Sequence, residues 1–184
     1  TKGASNLEEL HQYTKDSILR RKKEEILDLP PKIVSPLYYQ LQNPHGYQEI
    51  MGEYKSWSLK HGHASLAEHM TKLVTLRKFL AEEKTSSTIE FTKDLIEQGK
   101  KVIIFTNFND EQQKIADAFP RKCVRHNGSM TLEQKEESVQ KFQNDSKIKV
   151  FVGNIISAGV GITLTEGEVV IMNSLDWVPK SHSQ

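Results

Sequence analysis

From Val102 onward, short apolar runs alternate with charged helical stretches, and this alternation constrains the fold more than any other feature of the chain. Val102-Ile-Ile-Phe105 is a short apolar run that suits a strand covered on both faces, as strands of parallel sheets are. Asp110 to Phe119 reads as a helix and Lys122 to Arg125 as a strand. Thr131 to Phe142 reads as a helix in which Thr131 and Gln134 stand at capping-box spacing. Lys149 to Val152 and Val169 to Met172 read as two more strands. Strand and helix in alternation predict an α/β protein with a parallel sheet in a three-layer arrangement.

Upstream the pattern is helical. Leu7, Leu10, Ile18, Ile26 and Leu27 recur at helical spacing, and Pro30-Pro31 closes that stretch because proline lacks the N–H and restricts the residue before it. Lys32 to Leu41 alternates loosely and predicts a strand with Pro36 at an edge position. Asn43-Pro44 signals a turn. His45 to about Glu83 predicts two helices with a break near Lys60-His-Gly-His63, the second striped by Met70, Leu73, Val74, Leu76, Phe79 and Leu80. Thr85 to Thr88 predicts a polar break, followed by a third helix from Ile89 to Gln98 that Gly99 stops.

The 184 residues suit one domain, or one domain with an insertion. No apolar run approaches the ~18 residues a membrane span needs, and no secretory signal is visible. These features predict an intracellular protein, cytoplasmic or nuclear by source, with no membrane partner. A first residue of Thr1 leads us to expect a piece of something longer. Cys123 is the single cysteine, so no internal disulfide forms, and it reads as a structural thiol. His61, His63 and His69 lack carboxylates at ligand spacing, so no metal site is expected there. A formal net charge of +1 does not itself point to nucleic acid, though a local basic track suffices for a phosphate backbone.

Three strand ends carry the candidate chemistry. After Phe105 come Thr106 and Asn107, a hydroxyl and an amide at the carboxyl edge where open α/β sheets bind ligands. Arg125-His-Asn-Gly128 ends the next strand, with Gly128 permitting a tight turn whose N–H groups suit a phosphate backbone. Each is equally the pattern of an ordinary strand-to-helix turn, and both readings stand for either segment alone. Gly159-Val-Gly161-Ile-Thr163 follows the strand Lys149 to Val152. It lacks the third glycine of a dinucleotide fingerprint, and a compact turn close to a ribose or phosphate is its expected role.

Together these segments resemble a known family. Leu19-Arg-Arg-Lys22, Leu29-Pro-Pro-Lys32, Leu76-Arg-Lys-Phe79, Gly99-Lys-Lys-Val-Ile-Ile-Phe105, His126-Asn-Gly-Ser129, Phe142-Gln-Asn-Asp145, Ser157 to Thr165 and Leu175-Asp-Trp-Val-Pro179 are similar, in this order, to the second motor lobe of SWI/SNF-type ATPases of helicase superfamily two. The resemblance implies a RecA-like lobe of the P-loop NTPase type with an inserted helical protrusion. Residues 1–43 would form the inter-lobe bridge and first strand, 44–83 the protrusion, and 84–184 the lobe, ending before the motif VI arginines.

The parent would be an ATP-dependent translocase on double-stranded DNA. Its partners would be that duplex and an N-terminal RecA-like lobe. ATP and Mg2+ would serve the complete two-lobe motor, with neither bound tightly by this half, which would be inactive alone. By the same resemblance Gly159, Gly161 and Thr163 would face nucleotide, and Thr106, Asn107, Asn127, Gly128 and Ser157 would face the DNA backbone.

Two departures stand out. Ile155 and Ile156 occupy positions where many relatives carry Thr and Arg. Lys135 replaces an arginine, keeping charge and losing bidentate geometry. The chain has no Gly-x-x-x-x-Gly-Lys-Ser/Thr loop and no Asp-Glu-x-His box. A non-catalytic scaffold lobe and an RNA helicase lobe are the alternatives.

Overall fold

The computed structural model describes residues 6–18, 33–60, 66–158 and 162–176. The chain divides into two units, Thr1–Tyr38 and Tyr39–Gln184. In the first, Leu7–Thr14 forms helix α1, and residues 15–17 turn out of it. The rest of the helix expected up to Leu27, with the Arg20 to Lys23 run and Pro30-Pro31, lies outside the described residues. The strand expected from Lys32 to Leu41 is not formed over its described part: residues 33–41 adopt no regular element. A strand exists only through a paired neighbour, and Pro36 brings no N–H to such a ladder.

The second unit begins with two helices, α2 (Pro44–Lys60) and α3 (Leu66–Glu97). They run antiparallel. Asn43 N–H donates to Glu83 Oε2 at 2.9 Å at one end, and the Trp57 and His69 rings meet edge to face at 4.8 Å at the other. The break expected near residue 61 lies outside the described residues.

The break expected at Thr85 to Thr88 does not exist: α3 runs unbroken for 32 residues. Hydroxyls disfavour helix when they compete for backbone groups. Here they are absorbed by the helix itself, Thr85 Oγ1 donating to Ala81 O at 2.8 Å and Thr92 Oγ1 to Thr88 O at 2.7 Å. Gly99 then ends α3 as expected. Its φ of 86° lies in the left-handed region, and Lys100 N–H reaches back to Leu95 O while Gly99 N–H bonds Ile96 O.

Strands β1 (Val102–Thr106), β2 (Cys123–His126), β3 (Val150–Asn154) and β4 (Val169–Met172) form one parallel sheet in the order β2-β3-β1-β4. Helices α4 (Asn109–Ala118), α5 (Leu132–Asn144) and the single turn α6 (Ile155–Ala158) connect them. Alternation along the strands separates two cores. Val102, Ile104, Val150, Val152 and Ile171 face Leu95 of α3 and Ile115 of α4, whereas Ile103 and Phe151 face Phe142 of α5. Helices therefore cover both faces, which gives the predicted three layers.

The capping box of α5 is present, Thr131 N–H bonding Gln134 Oε1 at 3.0 Å and Gln134 N–H bonding Thr131 Oγ1 at 3.3 Å. At the other end of α5 the buried Lys101 ammonium donates to Phe142 O at 2.6 Å, a cation where the helix carbonyls are unsatisfied.

Candidate nucleic-acid interface

Because all four strands are parallel, their carboxyl ends lie at one edge, with Thr106 level with Asn154, His126 with Gly153, and Phe105 with Met172. The loops that follow are joined by side chains. Asn107 N–H donates to Ser174 Oγ at 2.8 Å, its Nδ2 donates to Leu175 O at 2.8 Å, and its carbonyl accepts from Asn154 Nδ2 at 3.1 Å. One residue thus ties the ends of β1, β3 and β4.

The first turn of α4 contributes two adjacent buried polar residues. Glu111 Oε1 accepts from Ser174 Oγ at 2.7 Å and from Asn107 N–H at 3.3 Å. Gln112 Oε1 accepts from Asn127 Nδ2 at 2.9 Å, while its Nε2 donates to His126 O at 3.2 Å. Glu111 serves the β1 and β4 ends, and Gln112 serves the β2 end. Burial pushes the Glu111 carboxyl above its ordinary range, although the bonds from Ser174 and Asn107 oppose that shift. Burial, with the charge of Lys135 nearby, pushes the His126 imidazole below its ordinary value.

The residues expected to face DNA divide by what their polar atoms do. Thr106 is fully buried and its hydroxyl donates to Gly153 O at 3.3 Å, so it braces β1 against β3. Asn127 is buried too, and its Oδ1 accepts from Ser129 N–H at 3.2 Å and Ser129 Oγ at 2.8 Å. The N–H groups of Ser129 and Met130 therefore close on Asn127. Gly128 is exposed at the tip. A Cβ there would meet nothing within 4 Å, and its φ is not left-handed, so the turn itself does not demand glycine. Ser157 is half-buried in α6 with its hydroxyl on Asn154 O at 3.3 Å.

Of the residues expected near nucleotide, Gly159 and Gly161 lie outside the described residues. Ile162 and Leu164 turn inward against the Phe142 and Phe151 core, which leaves Thr163 exposed between them. The isoleucines at the departing positions behave differently: Ile155 is buried and Ile156 is 78% exposed. Among the described residues no cluster of three or more His, Cys, Asp or Glu is placed to hold a metal ion. No described helix is long and apolar enough to cross a membrane.

Sequence reasoning missed Glu111, Gln112, Asn173 and Ser174, all buried. Glu and Gln in the first turn of a helix read as solvated, and only their position beneath converging strand ends shows otherwise. Asn173-Ser174 directly after an apolar strand was the available signal.

Comparisons with known proteins converge on one family. Residues 83–184, more than half of the chain, match the family described as helicase conserved C-terminal domain. The mouse (Mus musculus) DNA annealing helicase and endonuclease ZRANB3 is 28% identical over 186 aligned residues, covering 97% of this chain and 17% of the relative's length. The Sulfolobus solfataricus SWI2/SNF2 ATPase core domain superposes with a TM-score of 0.65 at 23% identity, over 97% of this chain and 43% of that one. The core of the same organism's SWI2/SNF2 ATPase in complex with dsDNA gives a TM-score of 0.66 at 24% identity, over 90% and 40% of the two chains. The fold is that of the RecA-like second lobe, as the motif resemblance implied.

Proposed function

Because the chain belongs to the helicase conserved C-terminal domain family, as a lobe of SWI/SNF type, we propose that it is the second motor lobe of an ATP-dependent translocase on double-stranded DNA. The observation that carries this reading is the convergence of four parallel strand ends on one edge, with their loops joined through Asn107, Glu111 and Gln112. A rigid edge of this kind holds its exposed backbone and hydroxyls at fixed spacing, which suits a regular phosphate backbone read without regard to base. Likeness to an ATPase core whose structure is a complex with dsDNA supports the choice of partner.

In this reading Thr106, Asn127, Ser129 and Ser157 shape the surface through their bonds to neighbours, while the exposed main chain at Gly128 presents it. The open space around Gly128 lets a phosphate approach the main chain closely. Nucleotide closure belongs to the complete motor. Thr163 offers one exposed hydroxyl toward it. In this reading hydrolysis needs groups from a first lobe, and isolated residues 1–184 are inactive. The setting we propose is the cytoplasm or nucleus.

Backbone contact predicts duplex binding that falls steeply with salt and varies little with sequence. Adding bulk at the tip with Gly128→Leu is expected to weaken binding at least fivefold at equal Tm. Unchanged affinity would remove this tip from the interface. The scaffold alternative draws on Ile156, an exposed apolar side chain beside the edge. It predicts no nucleic-acid affinity at all.

A further inference from the structure

The residues just after β4 alternate between two partners. Asn173 is 1% exposed, and its side chain is committed to α3. Nδ2 donates to Ala81 O at 3.3 Å and Thr85 Oγ1 at 3.5 Å, and Oδ1 accepts from Thr88 Oγ1 at 2.5 Å. Its main-chain N–H meanwhile donates to Phe105 O of β1 at 3.0 Å. Ser174 turns the other way, accepting from Asn107 N–H and donating to Glu111. The Leu175 carbonyl then accepts from both sides, from Arg77 Nη2 on α3 and from Asn107 Nδ2. Three consecutive residues thus stitch α3 to the loop after β1.

The helix being stitched is a lever. Its first part pairs with α2 as a two-helix arm, its second part is built into the sheet core, and its described sequence from residue 66 to 97 has no glycine or proline to act as a hinge. A displacement of the arm therefore reaches Asn173. An apolar residue would fill the same space, but hydrogen bonds to three α3 groups fix direction as well as distance, and a buried network of this kind holds one arrangement only while it is satisfied.

We propose that Asn173 is a positioning residue that locks the sheet-packed base of α3, which carries the α2–α3 arm, to the Asn107 loop at the edge assigned to DNA, coupling load on the arm to the grip on DNA. This rests on the translocase reading. The same network would also transmit in reverse, so DNA engagement at the edge changes how readily the arm moves.

Thr88→Val tests it, because valine keeps the shape, removes the hydroxyl that bonds Asn173, and touches neither DNA nor nucleotide in this account. In the natural full-length polypeptide, duplex-stimulated ATP turnover is expected to stay within twofold of wild type. Translocation per ATP, read by triplex displacement, is expected to fall at least threefold, and Thr88→Ser is expected to restore it. Asn173→Asp, which loses both amide donors, is expected to act in the same direction. An unchanged ratio of translocation to turnover, or a loss that serine does not restore, overturns the coupling.

Amide exchange in the same variants separates the two claims. The latch predicts at least fivefold faster exchange at the Asn107 N–H, with β3 amides unchanged. Unaltered protection at Asn107 overturns the latch even if translocation is impaired. A wild-type protein without duplex-stimulated turnover overturns the translocase reading, and with it the coupling, whatever the exchange shows.

Discussion

The two halves of α3 belong to one helix and obey different rules. From Ala81 to Leu95 it packs on the sheet, and Ala81, Thr85, Thr92 and Leu95 are buried at 1%, 3%, 0% and 8% exposure. From His69 to Leu80 no residue is buried, although Leu73, Leu76, Phe79 and Leu80 make this half more apolar than the other. Burial follows what the helix packs against, and polarity of the sequence is a poor guide to it. Threonine enters the core because its hydroxyl is already satisfied by the carbonyl one turn back, leaving its methyl to pack.

The sharpest way to break this comparison uses one residue type in both halves. Thr75 and Thr92 each donate to the carbonyl four residues before, but Thr75 is exposed and Thr92 is not. Thr92→Lys buries a charge without a partner and is expected to abolish cooperative folding or cost more than ~4 kcal/mol. Thr75→Lys is expected to lie within about 0.5 kcal/mol of wild type in the same urea titration.

Truncation gives a smaller contrast. Leu95→Ala is expected to cost ~2–5 kcal/mol, and Leu76→Ala in the half-buried arm about 1 kcal/mol. At the end of the buried half, Gly99→Ala forces a side chain into the left-handed region and is expected to cost ~1–2 kcal/mol. Equal costs in the two halves would show that the arm is as integral to the core as the lobe.

The smallest effect concerns pH. The folded protein holds the His126 imidazole below its ordinary value, so between that lowered value and about 6.5 the unfolded chain binds more protons. Stability contributed by the neutral ring is therefore present above about pH 6.5 and is lost as pH falls through that window. His126→Gln is expected to flatten the fall in Tm below pH 6.5. An unchanged slope would assign the acid sensitivity to other groups.

Much of the lobe was legible in the sequence, because short runs of β-branched and apolar residues carry a strand's signal locally, whether the strand is central like β1 or at the edge like β4. Val102 to Phe105 and Val169 to Met172 needed no partner to be recognised, and Gly99 and the Thr131/Gln134 box marked helix ends through chemistry confined to a few residues. Thr85 to Thr88 misled because the helix itself absorbs the Thr85 hydroxyl at Ala81 O, while the Thr88 hydroxyl is taken up by Asn173, a residue far along the chain. The strand expected over residues 32–41 failed for the related reason that pairing cannot be read from one segment.

At the edge, sequence order correctly implied convergence of the strand-end loops. It could not show that the Thr106 hydroxyl and the Asn127 amide are spent on neighbours, nor that Glu111 and Gln112 lie beneath them. Those roles arise from topology.

The most direct test of the central claim is ATP hydrolysis by the natural full-length polypeptide with no nucleic acid, duplex DNA, single-stranded DNA or RNA. The translocase account predicts strong stimulation by duplex DNA, weaker or no stimulation by the others, and no turnover by isolated residues 1–184. Turnover unaffected by every nucleic acid, or stimulated by RNA alone, would contradict it.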